Sequence, residues 1–257
     1  MGALHAGHLS LVERGRAVAA AVAVSIFVNP TQFGPNDDFH RYPRPIERDL
    51  ELCCNAGVDL VFVPSVEEMY PSDVPQATID LPQLTTQLEG KHRPGHFAGV
   101  CQVVSKLFNI VAPEAACFGE KDFQQLAVLR AMTTALDFDI DIIGCPTLRD
   151  PDGLAMSSRN RYLSVDERVR ALSISRSLFD IADKAKAGER NASALQRSLY
   201  DLLADRRAAP DVPTQIDYAS LVDRASLSEA TTLDRPTQAV VAMRIGTTRL
   251  IDNVAID

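Results

Sequence analysis

Short apolar runs rich in Val, Ile and Phe alternate with longer segments of helical period through the first 147 residues of the chain. Such alternation is typical of βαβ units, which build a parallel sheet covered by helices on both faces. The pattern predicts strands at residues 21–28, 58–63, 115–118 and 140–144, and helices at residues 9–18, 45–55, 97–111 and 123–136. We therefore expect an α/β fold in which ligands meet the carboxyl ends of parallel strands.

The pattern changes after residue 160. Two charged amphipathic segments, residues 164–186 and 191–207, begin at the capping residues Ser164 and Asn191 and predict helices. Strands are then predicted at residues 216–222, 239–244 and 249–255, the last two joined by a hairpin turn. We expect two domains: residues 1–147 with the parallel sheet, and residues 148–257 as a small α+β lid domain.

Charge and composition argue against several classes of protein. The chain has 26 basic and 34 acidic side chains, a net charge of −8, so it lacks the excess of Lys and Arg that nucleic-acid binding requires. Its longest apolar run, residues 18–28, is shorter than the ~20 residues of a membrane span. The sequence begins without a secretory pattern, and its five cysteines show no CxxC spacing. We expect a cytoplasmic protein with reduced thiols.

Two histidines, His5 and His8, stand in the segment HAGH immediately before the apolar period of the first predicted helix. Free amide groups at a helix N-terminus favour phosphate, and imidazole donors beside them can stabilise charge on a transferring phosphoryl group. The alternatives are a metal pair, for which the sequence offers no evident third ligand, and a simple helix cap. This segment alone does not decide between them.

Two further polar segments follow predicted strands, where open parallel sheets place their ligands. In FGEKD at residues 118–122, glycine permits close backbone approach, Lys121 can neutralise phosphate, and Asp122 can cap the next helix or accept ribose hydroxyls. In MSSRN at residues 156–160, two hydroxyls and a guanidinium suit phosphate oxygens, with a helix-capping turn as the alternative. Together the segments predict a nucleotide site.

Taken in order, these motifs resemble a known family. HAGH with a distant Ser-Ser-Arg segment is similar to the HxGH nucleotidylyltransferase superfamily. MGALHAGH at residues 1–8, SIFVNPTQFG at 25–34, RPGHFAGV at 93–100, FGEKDFQQ at 118–125 and GLAMSSRNR at 153–161 resemble the pantothenate synthetase family, the pantoate–β-alanine ligases. This resemblance covers essentially the whole chain. It implies a Rossmann-like parallel sheet with helices on both faces and a small α+β C-terminal domain.

The resemblance also implies an activity and its residues. Pantoate reacts with ATP to give a pantoyl adenylate and pyrophosphate, and β-alanine then attacks the acyl carbon to give pantothenate and AMP. Carried over by position, His8 is the catalytic imidazole, while Gln32 and Gln125 bind pantoate and Gln32 also contacts β-alanine. The implied ATP-binding residues are Met1, Gly2, Ala3, Leu4, His5, Ala6, Gly7, His8, Gly119, Glu120, Lys121, Asp122, Leu148, Met156, Ser157, Ser158 and Arg159.

Magnesium is implied as the companion of ATP, with phosphate oxygens and water as its main ligands. No protein ligand for the metal is assigned. An acidic cluster, Asp37, Asp38, Glu47, Asp49 and Glu51, could contribute, but a solvated surface is the favoured interpretation. The partners implied are the small molecules pantoate, β-alanine and ATP, with a homodimer expected and neither nucleic acid nor membrane.

The sequence departs from the family pattern at its beginning. Members carry a helical segment and a first parallel strand ending in Val-Pro-Thr before the Met-Gly that is residues 1–2 here. We therefore expect the sheet to lack that strand. The alternative to an active ligase is accordingly an N-terminally truncated, weakly active or inactive nucleotide-binding remnant of the same family.

Overall fold

The computed structural model describes residues 1–35 and 37–256, and its α/β architecture confirms the fold class expected from the sequence. The chain divides into two compact units. The N-terminal unit comprises Met1–Glu120 and Gln124–Pro146, and the C-terminal unit comprises Lys121–Phe123 and Thr147–Asp257. The short stretch Lys121–Phe123 thus belongs to the C-terminal unit, although the chain on either side of it belongs to the other.

The N-terminal unit combines parallel strand pairs with helices. Its strands are β1 (Ala23–Ser25), β2 (Leu60–Phe62), β3 (Ala115–Gly119) and β4 (Asp141–Cys145), and its helices are α1 (Ala6–Val18), α2 (Ile46–Asn55), α3 (Val66–Met69), α4 (Pro82–Thr85), α5 (Glu89–His92), α6 (His96–Val111) and α7 (Phe123–Ala135). Short 3-10 turns, Pro30–Gln32 and Glu120–Asp122, follow β1 and β3. Polar residues at the carboxyl ends of these two strands are therefore held in defined turns.

The parallel strands form two pairs, whereas the sequence analysis expected one sheet. Among the described strands, β1 pairs with β2 and β3 pairs with β4, both in parallel, and the pairs are not joined by strand hydrogen bonds. The strand β1 is also shorter than the predicted span of residues 21–28, because only three of its residues pair with β2. The apolar run continues as extended chain, in which Phe27 N–H donates to the Met1 carbonyl at 3.0 Å.

Glycines fix the ends and contacts of two helices in this unit. The helix α2 ends before Gly57, which has φ +70° and donates its N–H to the Cys54 carbonyl. In α6, a Cβ on Gly99 would lie 2.3 Å from the Thr31 carbonyl oxygen. Only glycine permits this approach, which brings α6 against the turn that contains Gln32.

The C-terminal unit packs two helices against an antiparallel sheet. Its elements are α8 (Val165–Lys186), α9 (Ala192–Ala204), β5 (Thr214–Asp223), β6 (Thr237–Ile245) and β7 (Thr248–Ile256), and the strand order is β5-β6-β7. Ser164 and Asn191 cap the helices, and Ile245 pairs with Thr248 across the hairpin, as predicted. The helix α9 ends at Ala204, earlier than predicted, and Arg170 donates to the carbonyls of Leu203 in its last turn and of Asp205 directly after it.

Apolar side chains from both helices and all three strands form the core of this unit, including Leu178, Leu199, Leu221, Val241 and Met243. Each of these five side chains is essentially inaccessible to solvent. Over residues 1–35 and 37–256, no helix has the length and hydrophobicity needed to cross a bilayer.

Candidate active site

The two histidines of the HAGH segment together begin helix α1. Gly7 N–H donates to His5 Nδ1 at 3.1 Å, and His5 N–H donates to His8 Nδ1 at 3.3 Å, so each imidazole caps the first turn. Their ring centroids are 4.1 Å apart. Because both Nδ1 atoms accept hydrogen bonds, each neutral ring carries its proton on Nε2. The helix cap weighed in the sequence analysis therefore exists, and it presents two Nε2 donors at a helix N-terminus.

A buried carboxylate holds the chain that leads to these histidines. Asp49, on α2, is 1% exposed, and its two oxygens accept the N–H groups of Ala3 and Leu4, each at 2.7 Å. Ala3 has φ +50°, a left-handed conformation that an alanine adopts only at some cost. The carboxylate stabilises this turn. The amides of Ala3 and Leu4 are therefore occupied by Asp49, and neither offers its N–H to a phosphate.

The polar turn after β1 is organised by Asn29, a residue that the sequence analysis did not select. Asn29 is buried, and its Nδ2 donates to the Gly99 carbonyl at 3.1 Å and to Gln32 Oε1 at 3.3 Å. Its Oδ1 accepts from the Tyr70 hydroxyl at 2.8 Å and from Thr31. Every polar atom of this amide is bonded, so Asn29 orients the Gln32 side chain predicted to bind pantoate.

The backbone of Gln32 is held from the start of α6. His96 Nδ1 lies 2.8 Å from the Gln32 carbonyl oxygen, and an Arg93 N–H donates to the same oxygen at 3.3 Å. Arg93 also pairs with Asp37 at 2.9 Å. Burial raises the pKa of Asp37, but the hydrogen bond from Gly34 and the charge of Arg93 outweigh this effect. The pKa of Asp37 therefore lies below its ordinary value. Asp37 is therefore an ion-pair partner rather than the solvated group that the sequence suggested.

Two adjacent glutamines at the start of α7 have different environments. Gln124 is buried, accepts the Glu89 N–H at 2.8 Å, and donates to the carbonyls of Leu84 and Gln87 at 2.7 and 2.9 Å. Gln125 is half-buried, and its side chain forms no hydrogen bond within the described part of the chain. Gln124 thus supports the fold, while the amide of Gln125, predicted to bind pantoate, is left for a ligand.

Lys121 and Asp122 lie in the 3-10 turn Glu120–Asp122, which directly follows Gly119 at the end of β3. Lys121 is half-buried, and its carbonyl accepts a hydrogen bond from Asn253 Nδ2 at 2.9 Å. Asp122 is exposed. The predicted phosphate-binding lysine is thereby tied to strand β7 within the C-terminal unit.

A short antiparallel turn precedes the Ser-Ser-Arg segment. Met156 N–H donates to the Leu148 carbonyl at 2.9 Å, and Arg149 bridges to Ala155, so the predicted ATP-binding residues Leu148 and Met156 face each other across this turn. Ser157 then accepts the Arg159 N–H at 3.2 Å and begins the 3-10 turn Ser158–Tyr162. Ser158 and Arg159 are half-buried within that turn. The helix-capping role and the proposed phosphate role are therefore compatible.

The acidic cluster does not form a metal centre. Within residues 1–35 and 37–256, no group of three or more His, Cys, Asp or Glu side chains is placed to hold a metal ion. The interpretation of Asp49 as a solvated surface residue is wrong, because the carboxylate is buried against backbone amides. All five cysteines are free thiols, as predicted.

Comparison with known proteins agrees with this geometry. A family model described as pantoate-beta-alanine ligase matches residues 1–255. The pantothenate synthetase of Acidobacterium capsulatum is 49% identical over 256 residues, which cover 100% of this chain and 84% of that protein. These matches define the class of the protein as a ligase. Within that class, the chain belongs to the pantoate–β-alanine ligase family.

Solved structures give the same result. A pantothenate synthetase from Thermus thermophilus superposes with a TM-score of 0.93 at 44% identity, covering 100% of this chain and 91% of that one. A pantoate-beta-alanine ligase from Francisella tularensis, complexed with beta-gamma ATP and beta-alanine, has a TM-score of 0.77 at 32% identity, covering 99% and 87%. The family's fold thus extends over the whole chain.

Proposed function

We propose that this protein joins pantoate to β-alanine in an ATP-dependent reaction that passes through a pantoyl adenylate. The observation that carries the proposal is the shared cap of His5 and His8, which places both imidazoles at the positive end of α1. Family membership supports the choice of substrates, since a relative has been crystallised with beta-gamma ATP and beta-alanine. The same support favours an active ligase over a nucleotide-binding remnant.

The first step activates a carboxylate, which is otherwise a poor acyl donor. A pantoate carboxylate oxygen attacks the α-phosphorus of ATP, and the bond from that phosphorus to the β-phosphate bridging oxygen breaks, releasing pyrophosphate. Negative charge grows on the phosphoryl oxygens in the transition state. His8 donates its Nε2–H to that charge, an interaction that counts most when the donor is fixed before reaction. Its bond from His5 N–H supplies this fixation.

The second step forms the amide. The amine of β-alanine attacks the acyl carbon of the adenylate, the acyl carbon–oxygen bond to phosphate breaks, and AMP leaves, while the amine loses a proton to solvent. Gln32 and Gln125 hold pantoate through both steps. Amide side chains offer a donor and an acceptor together, so they orient the carboxylate without locking it in an ion pair. The unbonded amide of Gln125 fits this role.

The residues proposed to bind ATP are Met1, Gly2, Ala3, Leu4, His5, Ala6, Gly7, His8, Gly119, Glu120, Lys121, Asp122, Leu148, Met156, Ser157, Ser158 and Arg159. The described residues do not fit a resident magnesium site. We therefore propose that magnesium enters bound to the phosphates of ATP, with water as its other ligand.

The assembly and location of the protein are further parts of the proposal. The family resemblance supports a homodimer, and five free cysteines suit the reducing cytoplasm. Light scattering at micromolar concentration tests the first point, because a mass near 28.0 kDa would identify a monomer and overturn it.

Pantoate-dependent exchange of labelled pyrophosphate into ATP tests the function directly. The purified protein should catalyse exchange only when pantoate is present, and should form pantothenate and AMP once β-alanine is added. Replacing His8 with Ala should slow exchange by a factor on the order of a hundred, as expected for the loss of one fixed transition-state donor. Exchange without pantoate, or none with it, would contradict the proposed ligase reaction.

The matched control is His8→Asn, because an Asn side-chain oxygen can accept the His5 N–H and keep the helix cap. Its melting temperature should stay near that of the parent protein while exchange remains slow. If His8→Ala left exchange unchanged and slowed only amide formation, His8 would belong to the second step.

A further inference from the structure

Strand β7 carries two consecutive buried polar residues. Asp252 is 4% exposed and Asn253 is 7% exposed, although neighbouring residues on a strand point to opposite faces. Burying an amide or a carboxylate is costly unless its hydrogen bonds are made. The partners of these two side chains therefore show what the strand supports.

Asn253 is bonded on both sides of its amide. Gln238 Nε2, on β6, donates to Asn253 Oδ1 at 2.6 Å, which turns Asn253 Nδ2 toward the Lys121 carbonyl at 2.9 Å. The two residues are 132 positions apart in sequence. This bond joins the Lys121 backbone to β7 within the C-terminal unit.

Asp252 supports the turn before the Ser-Ser-Arg segment. Its carboxylate pairs with both terminal nitrogens of Arg149, at 2.6 and 3.0 Å, and only 18% of the Arg149 side chain is exposed. Arg149 also donates to the Gly153 carbonyl at 3.2 Å and lies over the Phe179 ring, 4.8 Å from its centroid. A bidentate pair of this kind fixes orientation as well as distance.

We propose that Asp252 and Asn253, which are adjacent on β7, are positioning residues for ATP binding. Asn253 positions Lys121, and Asp252 positions the hydroxyl and guanidinium groups of Ser157–Arg159 through the turn that precedes them. This inference rests on the proposed function, in which both segments bind phosphate. Asn253 bonds the Lys121 backbone directly, and Asp252 holds the turn before the Ser-Ser-Arg segment through Arg149, so one strand fixes the spacing between the lysine and that turn. Neither Asp252 nor Asn253 touches the nucleotide.

A double-mutant cycle tests this role. The variants are Lys121→Ala, Asn253→Leu and the double variant, with the KM for ATP and the KM for pantoate measured in the exchange assay. Lys121→Ala should raise the ATP KM at least tenfold, and Asn253→Leu should raise it about fivefold, the value of one lost hydrogen bond. In the double variant, Asn253→Leu should add less than twofold, because it acts through Lys121. The pantoate KM should stay unchanged throughout.

The outcomes separate the inference from the function. If Lys121→Ala leaves the ATP KM unchanged, the phosphate role of Lys121 is wrong, and the role of Asn253 falls with it. If Lys121→Ala raises the ATP KM but the two effects multiply, Lys121 binds phosphate and Asn253 does not position it. A parallel cycle with Asp252→Asn and Arg159→Ala applies the same criterion to the other segment.

Two further variants guard against a simple loss of folding. Asn253→Asp keeps the side-chain shape and removes the N–H donor, so it should raise the ATP KM as Asn253→Leu does. Asp217→Asn weakens the 2.7 Å link to Arg249 in the same sheet and serves as the matched control. It should lower the melting temperature while leaving the ATP KM unchanged. An equal rise in ATP KM for Asp217→Asn would overturn the inference.

Discussion

The histidine segment, residues 1–8, and the serine–arginine segment, residues 156–159, are held in place in different ways. At Ala3 and Leu4 the histidine segment is held by a single side chain, since Asp49 accepts the N–H groups of both residues. The serine–arginine segment follows a turn supported by several side chains. These are Asp252 through Arg149, and Arg168 through two aspartates of the same turn.

The two segments show that a backbone turn can be held by one side chain or by several. Where one buried carboxylate satisfies two amides, its loss leaves both groups unpaired at once. Where several pairs hold a turn, the others remain when one is lost, and the partly exposed pairs each contribute little. Single substitutions should therefore have large effects around the histidines and small effects around Ser157.

Removing the Asp49 carboxylate should have the largest effect. Asp49→Ala leaves two buried N–H groups without partners, at about 1–3 kcal/mol each, so we expect the free energy of unfolding to fall by roughly 2–5 kcal/mol. Denaturant titration measures this change. The control is Glu51→Ala, an exposed carboxylate on the same helix, which should change stability by less than about 0.5 kcal/mol. Equal effects for the two variants would show that support is not concentrated at Asp49.

The adjacent glutamines sharpen the distinction between a supporting residue and a ligand-binding residue. Gln124→Leu should lower the free energy of unfolding by about 1–3 kcal/mol, because one buried and two partly buried backbone groups lose their partner. Gln125→Leu should leave stability nearly unchanged and weaken pantoate binding by about 1–3 kcal/mol, since polar groups of the bound substrate lose their partner. Calorimetric titration with pantoate and ATP, beside thermal unfolding, separates the two. A loss of ATP affinity in Gln125→Leu would contradict its assignment to pantoate.

A single loss in the serine–arginine region should have a smaller effect. Arg168 pairs with Asp150 and Asp152, each at 2.8 Å, and about a third of its side chain is exposed. Arg168→Met should therefore reduce the free energy of unfolding by only about 0.5–1 kcal/mol at neutral pH. Denaturant titration beside Asp49→Ala gives the comparison directly. A larger loss of unfolding free energy for Arg168→Met than for Asp49→Ala would contradict the comparison between the two segments.

The smallest effect concerns pH. Burial raises the pKa of Asp152, but the hydrogen bond from Leu154 and the bonds and charge of Arg168 outweigh it, so the net pKa lies below 3.8. A lowered carboxyl pKa adds stability above the ordinary value and loses it as pH falls through the lowered one. The stability difference between the parent and Arg168→Met should thus persist at pH ~6 and shrink below pH ~4. A difference that grows in acid would contradict the ion pair.

Sequence reasoning selected the proposed ligand-binding residues more readily than the residues that hold those residues in place. His5, His8 and Lys121 stand out because their types and spacing carry chemistry by themselves. Asp49 does not stand out, since an acidic residue among acidic neighbours on a helix is ordinarily exposed. Its burial depends on residues 45 and 46 positions earlier, which no local pattern reports.

Long-range partners explain the other omissions. Asn253 and Gln124 are polar residues whose partners lie 132 and 35 positions away, so their roles follow from tertiary structure alone. The signal available was a polar residue in a predicted strand or at a buried helix position. The pairing of the strands could not be predicted either, because the apolar runs indicate where strands lie but not which strands exchange hydrogen bonds.

The hydrogen bonds that cap the start of α1 depend on the charge of the His5 and His8 imidazole rings. An imidazolium has no lone pair on Nδ1, so adding a proton to either ring removes a bond that the first turn of α1 needs. The amide protons of His5 and Gly7 thus become natural reporters of ring charge, readable by NMR chemical shift without any ligand. The Nδ1 edge of each ring therefore belongs to the helix cap.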